Sequence, residues 1–178
     1  MKTRWLPGAA LASALLIGNA AHALPEVGAA RPALTLKDAW DRTLDLGALT
    51  GKPVLVVYED KDSAKQNEVL KQELAGLAKG DKYMKSIALV AVADLSGYDY
   101  WPVKGFVKDA IKTESNKQNT VIYCDWNGSA RDRLALRRGQ SNVVLFDKGG
   151  KVLFSAAGTL TADQRKRLVS LLKAQVGE

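Results

Sequence analysis

Residues 51–58 read Gly-Lys-Pro-Val-Leu-Val-Val-Tyr, and this stretch decides the fold class. A Gly-Lys-Pro turn leads into an apolar run, mostly β-branched, which ends at the charged residues 59–62. A short apolar run between a turn and a group of charges is typical of a strand buried on both faces. The stretch therefore predicts a core strand of an α/β domain whose sheet is covered by helices.

A helix is predicted directly after this strand. Ser63 and Gln66 have the spacing of a capping box, in which two side chains satisfy free amides at a helix start. Gly80 ends the helical pattern. The apolar residues at helical spacing between them are Val69, Leu70, Leu74 and Leu77.

Two further strands and a helix are predicted next. Residues 87–93 and 120–124 are apolar runs of strand length. Trp101 and Pro102 open a helix between them. Its predicted core face comprises Val103, Phe106, Val107 and Ile111.

Alternating patterns predict strand pairs at both ends of the domain. Residues 34–38 and 42–46 alternate apolar with polar side chains, as two short edge strands or a hairpin would. Residues 143–146 and 152–155 flank the turn 147–150 and predict a β-hairpin.

A second capping box, Thr161 with Gln164, begins the terminal helix. The order of elements predicts a mixed β-sheet flanked by helices. We expect residues 54–58 and 143–146 to be neighbouring central strands, with the helix that begins at Ser63 packed on them.

Residues 1–23 have the layout of a secretory signal peptide. Two basic residues stand near the start, an apolar run covers residues 9–17, and the small residues Ala21 and Ala23 precede the predicted cut. The run is shorter than the ~20 residues that span a bilayer. We therefore expect cleavage, a periplasmic location and no stable membrane insertion afterwards.

The rest of the chain is predicted to be one domain with an arm. Residues 24–33 contain two prolines and no periodicity, which favours an extended arm. Residues 34–178 show no internal repeat and no linker, so they are expected to form a single domain.

Composition excludes several classes of function. The formal net charge is +7, but the basic residues are spread along the chain, so no nucleic-acid partner is predicted. The only histidine, His22, lies in the predicted leader. Catalysis through histidine and zinc binding through histidine are therefore excluded for the mature chain, and no cofactor or metal is predicted.

Cys124 is the only cysteine, so an intramolecular disulfide is impossible. Two interpretations stay open. It is either a buried thiol that acts as a small apolar residue at the end of a strand, or a reactive thiol that forms mixed disulfides or a covalent dimer.

The chain resembles the thioredoxin-like superfamily over about residues 34–176. The resemblance rests on residues 51–56, which enter the core strand, and on residues 138–146, which lead into the hairpin. Within the superfamily the chain is most similar to periplasmic YtfJ-type proteins, through residues 142–154 and 158–164. The resemblance implies a thioredoxin-like mixed sheet flanked by helices.

The chain departs from the superfamily at its redox residues. Ser63 and Gln66 stand where redox members carry Cys-x-x-Cys, so neither position can exchange a disulfide. Ser141 stands where the superfamily has a cis-proline, and we expect a trans bond before it because a non-proline cis bond costs about 3 kcal/mol. Dithiol oxidoreductase and peroxidase activities are therefore not expected.

The leading hypothesis is a non-catalytic binding or accessory protein, a monomer or weak dimer. A small anion or an acidic protein partner would bind where Ser63, Lys65, Arg138 and Ser141 converge. Asp62 counts against this site, because its carboxylate could occupy the same amides. The alternative is a thiol protein that acts through Cys124.

Two weaker hypotheses remain. A hydrolase could use Asp60, Asp62, Asp94 and Asp125, although capping and turn formation explain each of these residues. The aromatic residues at 98–101 could hold an apolar ligand or pack over the end of the sheet.

Overall fold

The computed structural model describes residues 24–178, so the predicted signal peptide lies outside the described residues. The strands are β1 (Thr35–Asp38), β2 (Thr43–Asp45), β3 (Val54–Glu59), β4 (Ala88–Asp94), β5 (Ile122–Asp125), β6 (Asn142–Phe146) and β7 (Val152–Ala157). The helices are α1 (Glu68–Ala78), α2 (Asp81–Ser86), α3 (Val103–Gln118), α4 (Ser129–Arg133) and α5 (Ala162–Val176). A 3-10 turn, Ser63–Lys65, precedes α1.

All strands form one mixed sheet in the order β2-β1-β5-β4-β3-β6-β7. The strands β3, β4 and β5 are parallel to each other. The strand β6 pairs antiparallel with β3 on one side and with β7 on the other. Val56 of β3 lies between Val90 of β4 and Val144 of β6. The prediction that residues 54–58 and 143–146 form neighbouring strands is confirmed, as is the mixed sheet flanked by helices.

The alternation of side chains along β3 divides the core into two layers. Leu55 and Val57 pack against α1 and α5, whose buried residues include Leu70 and Leu168. Side chains on the opposite face of β3 pack against α4 and the segment that follows it; this layer includes Val54, Val56, Tyr58, Leu134 and Leu136. Both faces of the strand are therefore dry, as its continuous apolar run predicts.

The two ends of the domain follow the predicted patterns. The alternating residues 34–38 and 42–46 contain the antiparallel pair β1 and β2. At the other end, Thr161 accepts a hydrogen bond from Gln164 N, and Gln164 Oε1 accepts one from Thr161 N. This capping box starts α5 where the sequence predicts.

The helix start predicted at Ser63 is wrong. Only a 3-10 turn forms there, and α1 begins at Glu68 after Asn67, whose ψ of 36° lies outside the helical region. The predicted capping box does not form, because Gln66 Oε1 instead accepts a hydrogen bond from Ser141 N. A tertiary partner has taken the side chain that would otherwise cap the helix.

One residue of the predicted α3 core face is also misplaced. Val107 and Ile111 pack on the sheet, but Phe106 is 74% exposed. The helix is rotated so that Phe106 points to solvent.

One edge of the sheet gathers the polar residues. The carboxyl ends of β3, β4 and β5 meet the amino end of β6 there, because parallel strands finish at the same edge and β6 runs the opposite way. Within residues 24–178, no helix is both long and apolar enough to cross a bilayer.

Candidate functional site

The turn after β3 is closed by the carboxylate of Asp60. Its Oδ1 accepts hydrogen bonds from the amides of Asp62, at 3.0 Å, and Ser63, at 2.7 Å. Ser63 Oγ accepts one from Asp60 N, and Ala64 N donates to Asp60 O. Asp60, rather than the expected Asp62, therefore occupies the amides on which anion binding would depend.

Ser141, at the amino end of β6, is fully buried and fully bonded. Its Oγ donates to Glu59 Oε1 at 2.7 Å and accepts from Asn67 Nδ2 at 2.9 Å. Its amide donates to Gln66 Oε1 at 3.0 Å. Ser141 thus ties β3, β6 and the start of α1 together.

Asn67 is the centre of this network. Its Nδ2 also donates to Gly158 O, and its Oδ1 accepts from Leu160 N, each at 2.9 Å. The side chain is 97% shielded from solvent and reaches the loop between β7 and α5. One amide group therefore satisfies backbone atoms that would otherwise be buried without partners.

Glu59 forms a salt bridge with Lys71 of α1. Lys71 Nζ lies 2.8 Å from Glu59 Oε2, and the Glu59 side chain is 13% exposed. Lys71 also donates to Ala64 O. The carboxylate at the end of β3 is thus neutralised from α1.

Ser141 is a member of this network, and Ser63 lies in the turn that follows Glu59. Lys65 and Arg138 do not join the network. Both are exposed, and in the described part of the chain no hydrogen bond links either one to the network. Asn142 bonds to Arg137 N and O and so holds the loop that carries Arg138. Anion binding stays a prediction, and the carboxylates of Glu59 and Asp60 disfavour it electrostatically.

The peptide bond before Ser141 is trans, as predicted. Within residues 24–178 the single cis peptide bond joins Trp101 to Pro102, at the start of α3.

A second polar cluster lies farther along the same edge. Tyr58 OH donates to Asp125 Oδ2 at 3.0 Å, and this oxygen also accepts from the amides of Ala130 and Arg131. The Arg131 side chain reaches across to Asp94 Oδ2 at 3.1 Å. Two of the four aspartates of the hydrolase hypothesis therefore come together, but partners within the chain already bind them.

These carboxylates have little room for a substrate or a metal. Asp94 is 6% exposed and Asp125 3%. In residues 24–178 no group of three or more metal-ligating acids or thiols is assembled. The cluster is arranged as a buried ion-pair network, which disfavours the hydrolase hypothesis.

Burial governs the protonation of this cluster. It raises the pKa of Tyr58 well above its usual range, with the charges of Asp125 and Asp94 adding to the effect. Burial also opposes ionisation of Asp94, but hydrogen bonds from Ser96 and the charge of Arg131 outweigh it and lower its pKa. The phenol stays protonated as a donor, and Asp94 stays ionised as an acceptor.

Cys124 lies on β5 and is 6% exposed. Burial, helped by the charge of Asp38, raises the pKa of its thiol to about 11. The thiolate is the nucleophilic form, so this environment suppresses reactivity. The position favours the interpretation of Cys124 as a small core residue.

The aromatic residues at 98–101 divide between core and surface. Tyr98 packs against the cluster that contains Cys124 and Leu95, as the packing interpretation expects. Tyr100 is 57% exposed and Trp101 91% exposed. These two side chains therefore lie on the surface and not in the core.

Four residues of the two clusters were not anticipated from the sequence. Glu59, Asn67, Tyr58 and Arg131 each bond a partner that is distant along the chain. Polar residues at strand ends are the available signal, and this signal identifies Asp60, Asp62, Asp94 and Asp125.

Solved structures with this arrangement share the fold at low sequence identity. MTB DsbF, solved in mixed oxidised and reduced forms, is 19% identical with a TM-score of 0.57, covering 80% of this chain and 98% of its own. The pneumococcal exposed lipoprotein thioredoxin Etrx1 from Streptococcus pneumoniae strain TIGR4 is 18% identical, with a TM-score of 0.53 and coverage of 80% and 99%.

A third neighbour is an uncharacterised conserved protein from Geobacillus kaustophilus. It is 14% identical with a TM-score of 0.64, covering 85% of this chain and 82% of that one. At these identities the likeness shows the thioredoxin-like fold alone.

Curated protein sequences include no significant match to this chain. The sequence pattern of one family does match, over residues 46–175. The match begins directly after β2 and ends in the last turn of α5. That match covers the whole sheet edge with both polar clusters. The chain belongs to this family, which is described as bacterial protein of unknown function (YtfJ_HI0045).

Proposed function

We propose that this protein is an exported thioredoxin-fold protein that works without dithiol chemistry, as a binding or accessory protein in the periplasm. The observation that carries the proposal is that Cys124 is the only cysteine in the sequence, so no pair of thiols is present. The resemblance to the thioredoxin-like superfamily puts Ser63 and Gln66 where redox members carry their cysteines. Neither side chain can accept or release electrons. Both are held in hydrogen bonds within the chain.

Electrostatics supports the same proposal. A redox thiol at a helix start depends on free amides and nearby cations that stabilise its thiolate. Here the carboxylate of Asp60 accepts a hydrogen bond from the amide of Ser63. Glu59, directly before Asp60, is a second carboxylate. A thiolate at position 63 would face negative charge, so its pKa would be raised rather than lowered.

Export rests on the leader-like residues 1–23. Fold neighbours that include an exposed lipoprotein thioredoxin are consistent with a scaffold used outside the cytoplasm. The partner would be a small anion or a protein.

A reductase assay tests the lack of dithiol chemistry. Reduction of insulin by dithiothreitol should proceed at the blank rate with this protein, and at an accelerated rate with thioredoxin as a positive control. Catalysis well above the blank that is lost in Cys124→Ser would overturn the proposal. Fractionation of the native host, with N-terminal sequencing of the mature chain, tests export and cleavage after Ala23.

The alternative, a thiol protein acting through Cys124, has less support. A thiol that is buried and has a pKa near 11 reacts slowly at neutral pH. A covalent dimer would require the side chains packed over Cys124, which include Val107 and Ile111 of α3, to move away from it.

A further inference from the structure

The outer edge of β7 carries backbone groups that point away from the sheet. β7 is the last strand in the sheet order. Gly158 N donates to Ser141 O at 2.9 Å, and residues two apart along an antiparallel ladder repeat this pairing. Ser155 and Ala157 are therefore the residues whose N–H and C=O face outward.

The N-terminal arm covers only the beginning of this edge. Val152 N donates to Ala29 O at 2.9 Å, and Gly28 N donates to Val152 O at 2.8 Å. The arm then leaves the strand through a turn in which Ala29 N donates to Glu26 O. In residues 24–178 no hydrogen bond reaches the outward groups of Ser155 or Ala157.

This segment lacks the protection that the opposite edge has. At that edge β2 is only three residues long and carries Asp45, with Arg42 directly before it. Short length and charge are the usual devices that prevent strands from pairing between molecules. Residues 155–158, Ser-Ala-Ala-Gly, contain neither a charge nor a proline.

We propose that a second copy of this chain pairs with β7 at this edge, antiparallel and about a twofold axis at Ala156. Ser155 of one copy lies opposite Ala157 of the other, and each such pair exchanges both of its N–H···O bonds. The register fits the open length, because the arm already bonds the outward N–H and C=O of Val152 and the chain turns away at Gly158. The inference does not depend on the proposed lack of dithiol chemistry.

The side chains explain why a second copy is the expected occupant. Ser155, Ala156 and Ala157 are small, so two backbones can approach closely, but no large side chain is present to select a foreign sequence. The outward groups are self-complementary about the axis, as a twofold interface requires. Little apolar area is buried, so the dimer should be weak.

The association state is measured by sedimentation equilibrium of the purified full chain at concentrations from ~10 µM to ~1 mM, the range in which a weak dimer forms. We expect a reversible dimer in the wild type. Ala157→Pro removes one outward donor on each copy without breaking a bond to β6, and should raise the dimer dissociation constant by ~10-fold or more. Ala157→Ser keeps the donor and should dimerise as the wild type does.

A second pair of variants keeps the test valid if the proline disturbs folding. Ala157→Lys should weaken dimerisation because it puts a like charge from each copy next to the axis, whereas Thr159→Lys adds the same charge beyond the Gly158 turn and should not. Amide exchange at Ser155 and Ala157 should slow as concentration rises, while Phe154 and Ala156 stay unchanged. A wild type that is monomeric throughout, or a dimer that Ala157→Pro and Ala157→Lys both leave intact, overturns the proposal.

Discussion

Tyr58 on β3 donates its hydroxyl proton to Asp125 on β5 across the intervening strand β4, at an O···O distance of 3.0 Å. The bond joins the ends of two strands that do not pair with each other. It also fixes the aspartate that accepts the first amides of α4. The phenol therefore couples the central strand to the connection that crosses the sheet to β6.

Tyr58→Phe tests this link. Removing the hydroxyl leaves a buried carboxylate with one donor fewer, and hydrogen bonds to charged groups contribute about 1.5–3 kcal/mol. We expect a loss of that size in the free energy of unfolding, measured by urea denaturation. Tyr100→Phe changes an exposed phenol and should alter stability little; equal effects of the two variants would contradict the assignment.

Gly128→Ala tests the approach of Arg131 to the backbone. Gly128 has a φ of 75°, and a Cβ there would lie 2.2 Å from Arg131 Nη2. The methyl group should displace the guanidinium from Asp94 and strain the backbone, at a cost of about 1–3 kcal/mol. Gly97→Ala, at an open position without positive φ, is the matched control. Thermal unfolding of both variants measures the difference.

Asp94 predicts a specific dependence of stability on pH. Its pKa is lowered in the folded state, so the stabilisation is present above the unfolded value of about 3.9 and is lost as pH falls through the folded value. Unfolding free energies measured from neutral pH down into the acid range should therefore fall less steeply in Asp94→Asn than in the wild type. Asp62→Asn, which alters an exposed carboxyl, is the matched control.

Asn67→Ala tests the network that joins Asn67 to Ser141 and to the loop between β7 and α5. The substitution leaves Leu160 N and Gly158 O without their hydrogen-bond partner. Each unsatisfied buried group costs about 1–3 kcal/mol. We expect a decrease of about 2–5 kcal/mol in the free energy of unfolding. Gln72→Ala, on the exposed side of α1, should fall within about 0.5 kcal/mol of the wild type. A comparably mild effect of Asn67→Ala would show that water replaces the amide.

Cys124 should label slowly while the protein is folded. With a pKa of about 11, only a small fraction of the thiol is ionised at neutral pH. Alkylation monitored by mass spectrometry should be slow at pH 8, accelerate as pH rises toward 11, and become fast in urea at pH 8. Rapid labelling of the native protein at pH 8 would show that Cys124 is an accessible, reactive thiol and would contradict this prediction.

Much of the fold follows from local patterns. The run at residues 54–58 and the hairpin at 143–155 are specified by their own apolar residues and turns, and Thr161 with Gln164 caps α5 using only neighbours within one turn. Ser63 with Gln66 has the same spacing but forms no box, because Ser141 competes for Gln66. Identical local signals can therefore differ in outcome when one has a tertiary partner.

By itself, the sequence determined the α/β class, the neighbouring core strands and the presence of a single cysteine, because burial patterns and residue identities are local properties. Only the tertiary structure decided which polar contacts form at the edge of the sheet. Gln66 on the amide of Ser141, Asn67 between Ser141 and Leu160, and the burial of Cys124 all depend on residues that lie far apart in the sequence. The energy of a buried polar group is set by the partners it meets in the fold, and neighbouring residues in sequence do not specify those partners.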